Sequence, residues 1–159
     1  MNILFVCSGN ITRSFLAEAL FQHEIKGCPE LNAFARSAGL RAFPGNDPDP
    51  EMVRFLLGRG LAVPDHQARP VSREDVAWAD RILVMEKEHL RSMERGFPES
   101  AGKTELLGRY IAETALPDEI GDPFGLSSYH YRLAQSQIGL AIQGLRRHLE
   151  AATGKGPAC

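Results

Sequence analysis

Cys7 and Arg13 stand with five residues between them, Ser8-Gly9-Asn10-Ile11-Thr12, inside the run from Val6 to Ser14. A thiol and a guanidinium at that spacing suit attack on a phosphoryl group. A free thiol titrates near ~8.5 and is mostly protonated at neutral pH, but a helix N-terminus and a neighbouring guanidinium both favour the thiolate. Arg13 offers a planar fork that binds two phosphate oxygens and follows them as they flatten in the transition state. Ser14 is placed to donate a further hydrogen bond to the sulfur. Gly9 lets the backbone approach an anion, and Asn10 tolerates the left-handed conformation that most residues resist. Taken alone, Cys-x5-Arg is a weak signal, since buried cysteines are commonly small hydrophobes. The flanking elements strengthen it.

Residues 2–6 form an apolar, β-favouring run, and residues 14–26 carry helical periodicity at Leu16, Ala17, Leu20, Phe21 and Ile25. The loop therefore joins a strand to a helix, aiming unpaired N–H groups and the positive end of a helix dipole at whatever it encloses. Residues 33–38 read as a second strand ending at Gly39. Asp49 with Pro50 reads as an N-cap and first helical residue, opening a helix with Met52, Val53, Leu56 and Leu57 on its apolar face. Ser72 and Asp75 form a capping-box variant that Val71 and Val76 flank as a hydrophobic staple. Residues 81–85 are a nearly continuous apolar run, as in a strand buried on both faces. A helix over 86–95, a short strand over 104–107, a loop over 108–127 that includes Pro117, and a last helix over 128–149 complete the order. Its apolar stripe is Tyr131, Ala134, Ile138, Ala141, Ile142, Leu145 and Leu149. Alternating strands and helices predict an α/β fold: a three-layer sandwich whose four-stranded parallel sheet is flanked by helices, with a phosphate-binding loop after the first strand.

The chain's 159 residues are 43% hydrophobic, enough for one core, so a single domain is expected over 1–150, with a frayed tail over 151–159. A net charge of -2 without a basic stripe argues against nucleic acid. No apolar stretch reaches membrane-spanning length. Three scattered cysteines do not make a disulfide framework, which suits a reducing compartment. A cytoplasmic monomer is expected. His23, His89, His130 and His148 lie on predicted helices without ligand spacing and read as solvated or partly packed, so neither a metal site nor a cofactor is expected.

With these elements in place, the chain resembles the low-molecular-weight protein tyrosine phosphatases over nearly its whole length. The resemblance rests on residues 6–14, Ala17-Glu18-Ala19, Ser37-Ala38-Gly39, His66-Gln67-Ala68-Arg69, Ser72-Arg73-Glu74-Asp75, residues 79–85 and Asp122-Pro123-Phe124, all in order. It implies a protein tyrosine phosphatase acting through a cysteinyl-phosphate intermediate on phosphotyrosine proteins or aryl phosphates. Cys7 is then the nucleophile, and Arg13 binds the phosphate and the transition state. Asp122 takes the role of general acid, then base; a carboxyl group on a loop over the site can supply the leaving oxygen's proton. Ser8, Gly9, Asn10, Ile11, Thr12 and Ser14 line the substrate site, with Phe43 and Phe124 as aromatic walls able to stack on a phenyl ring. His66 holds Asn10, and Pro123 stiffens the loop carrying the acid. The related protein-arginine phosphatases favour threonine where this chain has Ile11, which points to phosphotyrosine.

The chain also departs from the family pattern. Thr12 occupies the position of a second cysteine that many members have, so a protective disulfide with Cys7 is not expected, and Phe15 replaces the usual proline. Cys28 and Cys159 read as incidental and do not match the relay pair of an arsenate reductase built on the same fold, the leading alternative. A non-catalytic phosphate-binding module is the third reading.

Overall fold

Four parallel strands in the order β2-β1-β3-β4 make the sheet. The computed structural model describes residues 1–111 and 118–153. The strands are β1 (Asn2–Cys7), β2 (Phe34–Gly39), β3 (Arg81–Val84) and β4 (Thr104–Leu106). The helices are α1 (Arg13–Ile25), α2 (Pro50–Gly58), α3 (Arg73–Trp78), α4 (Lys87–Gly96) and α5 (Ser128–Ala152). Short 3₁₀ turns at Pro29–Leu31, Pro98–Ser100 and Leu107–Tyr110 have no counterpart in the sequence reading.

Alternation along β1 makes the three layers. Ile3 and Phe5 point into a core shared with Leu16, Met52, Ile138 and Ile142 of α1, α2 and α5, while Leu4 and Val6 meet Val76 of α3 and Met93 of α4 on the opposite face. Residues 3–6 are fully buried, as a central parallel strand requires. β1 pairs with β2 on one side, Cys7 opposite Gly39, and with β3 on the other, Val6 opposite Val84. The connections that leave the adjacent ends of β1 and β3 therefore run in opposite directions, to β2 and to β4. The crevice at that reversal is where ligands bind in open α/β sheets, and the Cys7–Arg13 loop opens into it.

Local signals place the elements well. Asp49 accepts the Glu51 amide at 2.9 Å as the N-cap of α2, and Ser72 and Asp75 complete a reciprocal capping box on α3. Leu57, however, is exposed: Met52 and Leu56, four apart, share the buried face, and Phe55 packs against the core instead. α5 runs through Ala152, so the first two residues of the expected tail are helical. Pro117 and residues 154–159 lie outside the described residues.

Candidate active site

The loop after β1 turns its carbonyls outward. Those of Cys7 and Ser8 accept the Leu40 and Arg41 amides, that of Ile11 accepts the Asp49 amide, each at 2.9 Å, and that of Asn10 accepts His66 Nε2 at 2.7 Å. Across planar trans peptide bonds, the next amides point the opposite way. The N–H groups of Ser8, Gly9, Ile11 and Thr12 therefore face inward, and these four residues line a cavity of about 420 Å³ with Cys7, Arg13, Asp122, Phe43 and Phe124. A cradle of inward amides at the start of α1 is an anion site. The side chain of Thr12 leaves it open: instead of capping α1, its hydroxyl donates to Asp49 Oδ2 at 3.2 Å.

Cys7 is a buried free thiol at the cavity floor. The Asn10 amide donates to Sγ at 3.3 Å, and Ser14 Oγ lies 3.0 Å from it. Asn10 Nδ2 donates to Ser14 Oγ at 3.0 Å, which leaves the Ser14 hydroxyl proton for the sulfur. Asn10 manages this through a left-handed backbone, φ 57°, the state its residue type tolerates. It is fully buried and fixed further by the Arg69 amide on Oδ1 at 3.0 Å and by its own Nδ2 on Ser37 Oγ at 2.9 Å. Ser37 in turn donates to Glu18 at 2.5 Å, and burial pushes the Glu18 carboxyl up. Asn10 and Ser14, expected among the substrate-contacting residues, stand behind the sulfur and do not line the cavity. Because a carbonyl oxygen only accepts, His66 carries its proton on Nε2, and Phe15 packs on its ring at 4.9 Å between centroids.

Arg13 is 1% exposed. Nη1 donates to Glu86 Oε1 and to the Ile120 carbonyl, each at 2.8 Å, while Nη2 lies 3.2 Å from Asp122 Oδ2. Nε has no acceptor. The guanidinium is thus anchored by one nitrogen and keeps its Nε/Nη2 edge for two oxygens of an incoming phosphate. Asp122 is 44% exposed, its Oδ1 accepting the Phe124 amide at 3.2 Å, and Pro123 beside it is buried. Phe43 and Phe124 are 76% and 59% exposed, so neither is spent on core packing.

Glu86 and His89 were missed as site residues. Glu86 follows β3 and neutralises Arg13. His89, expected to be solvated or partly packed, is buried: its Nδ1 accepts the Glu86 amide at 3.2 Å, so Nε2 carries the proton and donates to Ser8 Oγ at 3.0 Å. Burial, and then the charge of Arg13, push the imidazole down to about 4. On the far side of the loop, Asp49 also accepts the Tyr131 hydroxyl at 2.7 Å; burial and that carboxylate push the phenol up.

The family model for low molecular weight phosphotyrosine protein phosphatases matches residues 2–154. The chain belongs to this family. Among relatives of this phosphatase-family chain, the Wzb tyrosine phosphatase of Escherichia coli K12 is 40% identical over 74% of this chain and 76% of its own. A protein-arginine-phosphatase of Bacillus subtilis is 32% identical over 94% and 97%. Among solved structures, the arginine phosphatase YwlE from Geobacillus stearothermophilus has a TM-score of 0.85 at 29% identity, covering 98% of this chain and 96% of that one. Vibrio vulnificus Wzb with benzylphosphonate has a TM-score of 0.81 at 30% identity, covering 92% and 97%.

Among the described residues of this family member, no cluster of three His, Cys, Asp or Glu is placed to hold a metal ion, and no helix is long and apolar enough to cross a membrane. Cys28 is disulfide-bonded, where the sequence reading expected no disulfide framework. Cys159 lies outside the described residues.

Proposed function

We propose that the protein hydrolyses phosphotyrosine on protein substrates through a cysteinyl-phosphate intermediate. The observation that carries this reading is the cavity itself: a thiol at the floor, inward amides around it, and Ile11, Phe43 and Phe124 forming an apolar slot above. A phenyl ring fills such a slot by stacking, and the phosphate it carries then reaches the sulfur.

Cys7 Sγ attacks phosphorus in line with the leaving tyrosyl oxygen. The Nε/Nη2 edge of Arg13 and the loop amides take the equatorial oxygens, and Asp122, protonated, delivers its proton to the leaving oxygen as the P–O bond breaks. The resulting Asp122 carboxylate accepts a proton from the water that attacks the cysteinyl-phosphate, releasing inorganic phosphate and the Cys7 thiolate. Asn10 and Ser14 serve the sulfur, and His66 holds Asn10. Every group used comes from one chain, so a monomer suffices. Cys7, which has Thr12 in place of a partner thiol, must stay reduced to attack.

The test compares phosphotyrosine, phosphoarginine and phosphoserine peptides with wild type and Cys7→Ser. Phosphotyrosine is expected to be turned over fastest and Cys7→Ser to be inactive. Faster phosphoarginine turnover would overturn the substrate assignment, and activity in Cys7→Ser the mechanism.

A further inference from the structure

A second depression opens beside the catalytic cavity, walled by Leu40, Arg41, Glu86, His89, Arg95 and Phe97, and Arg41 borders both. Its volume of about 480 Å³ holds one or two side chains. Its charges are unevenly spoken for. Glu86 is neutralised by Arg13, and Glu88 on the same wall is shared by Arg91 and Arg95. His89 is neutral near pH 7, with Nδ1 occupied by the Glu86 amide. Arg41 alone keeps an uncommitted charge: its side chain is exposed and meets no acceptor among the described residues. Its backbone is not loose, since the Arg41 amide donates to the Ser8 carbonyl at 2.9 Å. The free guanidinium is therefore carried at a fixed place on the rim of the phosphate loop.

We propose that this depression is the subsite for a residue flanking the phosphorylated one, and that Arg41 selects an acidic side chain there. The inference rests on the reading above, that the group held at Cys7 belongs to a protein side chain. An extended peptide advances about 3.3 Å per residue, so a residue two positions along lies roughly 7 Å from the phosphorylated one, a reach that suits the neighbouring depression. Leu40 and Phe97, both half-buried, receive the carbon stem, and the planar fork of Arg41 receives the carboxylate. A basic flanking residue would instead meet an uncompensated cation.

The experiment pairs two phosphotyrosine peptides that differ only in glutamate or glutamine two residues from the phosphotyrosine, tried on either side, and reads the ratio of their kcat/KM values. The ratio cancels any general effect of a variant on catalysis. Wild type is expected to favour the acidic peptide roughly three- to fivefold at low ionic strength and less at high salt. Arg41→Ala should bring the ratio to about one, and Arg41→Glu should invert it. A wild-type ratio of one overturns the proposal, as does a preference that survives Arg41→Ala. If neither phosphotyrosine peptide is turned over, the proposed function has failed instead, and the same acidic and neutral pair carrying phosphoarginine then tests the depression by itself.

Discussion

His89 Nε2 donates to Ser8 Oγ at 3.0 Å, tying the phosphate loop after β1 to the first turn of the helix after β3. The ring is held neutral by its other bond, because a protonated Nδ1 could not accept the Glu86 amide. An unfolded histidine titrates near ~6.5; in the native protein burial pushes His89 down to about 4. Between those values the unfolded chain binds a proton that the native one does not. The stability from His89 is therefore complete above about 6.5 and is lost as pH falls towards 4, by an amount on the order of 3 kcal/mol. Urea midpoints at a series of pH values should show this slope, and His89→Asn, which offers an acceptor and a donor but cannot titrate, should flatten it. Equal slopes in the two proteins would rule out His89 as the source.

Arg13 and Glu86 make the second prediction. Removing one partner of a buried pair strands the other, at a cost of about 3–5 kcal/mol when burial is complete. Glu86 is 30% exposed, and the Ile120 carbonyl and Asp122 remain near the guanidinium, so Glu86→Ala should cost less, about 1–3 kcal/mol. Arg13 would also lose the contact that holds its Nε/Nη2 edge towards the cavity. kcat/KM for an aryl phosphate should fall roughly tenfold or more. Glu86→Gln, which keeps an acceptor, should recover most of the melting temperature and part of the rate. An unchanged Tm and rate in Glu86→Ala would mean that the contact does no positioning.

Glu86 and His89 also mark where the sequence stops being informative. Cys7, Arg13 and the loop between them announce themselves because their spacing, glycine and flanking periodicity are all local. Asp49, Ser72 and Asp75 are equally plain as caps. Glu86 and His89 reach the loop only because β1 pairs with β3, which brings residues 73 and 81 positions away in sequence alongside it. A charged residue straight after an apolar strand, with a histidine three further on, is the available hint, since the ends of parallel strands face the ligand crevice. For Phe43 and Phe124, residue type fits a core wall and a pocket rim alike, and only the exposure separates them. Asn10 is an intermediate case: its tolerance of a left-handed backbone is legible, but the partners that exploit it come from β2 and the 66–69 segment.

Gly39 gives the third prediction. A Cβ there would meet the Ser8 carbonyl oxygen at 2.7 Å, Ala42 Cβ at 2.9 Å and the Asn10 amide nitrogen at 3.0 Å. Two of the three are backbone atoms of the phosphate loop, which cannot swing aside as a flexible side chain would. Gly39→Ala should destabilise the protein by about 1–3 kcal/mol, as overpacking does, and lower kcat by displacing Ser8 and Asn10. Gly27, whose Cβ would meet nothing within 4 Å, supplies the control: Gly27→Ala should leave the rate unchanged. Equal rates in both variants would show that the loop has room to spare.

Asp122 is asked to do two things that a single substitution separates. As the proton donor it acts only when a leaving oxygen needs a proton, so Asp122→Asn should lower kcat by about 10²–10³-fold for a phenyl phosphate with a poor leaving group, and less for an activated one. As a carboxylate 3.2 Å from Arg13 Nη2 it also competes with phosphate for the guanidinium and repels an incoming dianion. Removing its charge should therefore tighten inorganic phosphate, read as a lower inhibition constant, while the rate collapses. The opposite signs distinguish this from general damage to the loop, which would weaken phosphate and slow turnover together. A variant that loses both, or that loses the same factor with good and poor leaving groups, would remove Asp122 from the proton-transfer step.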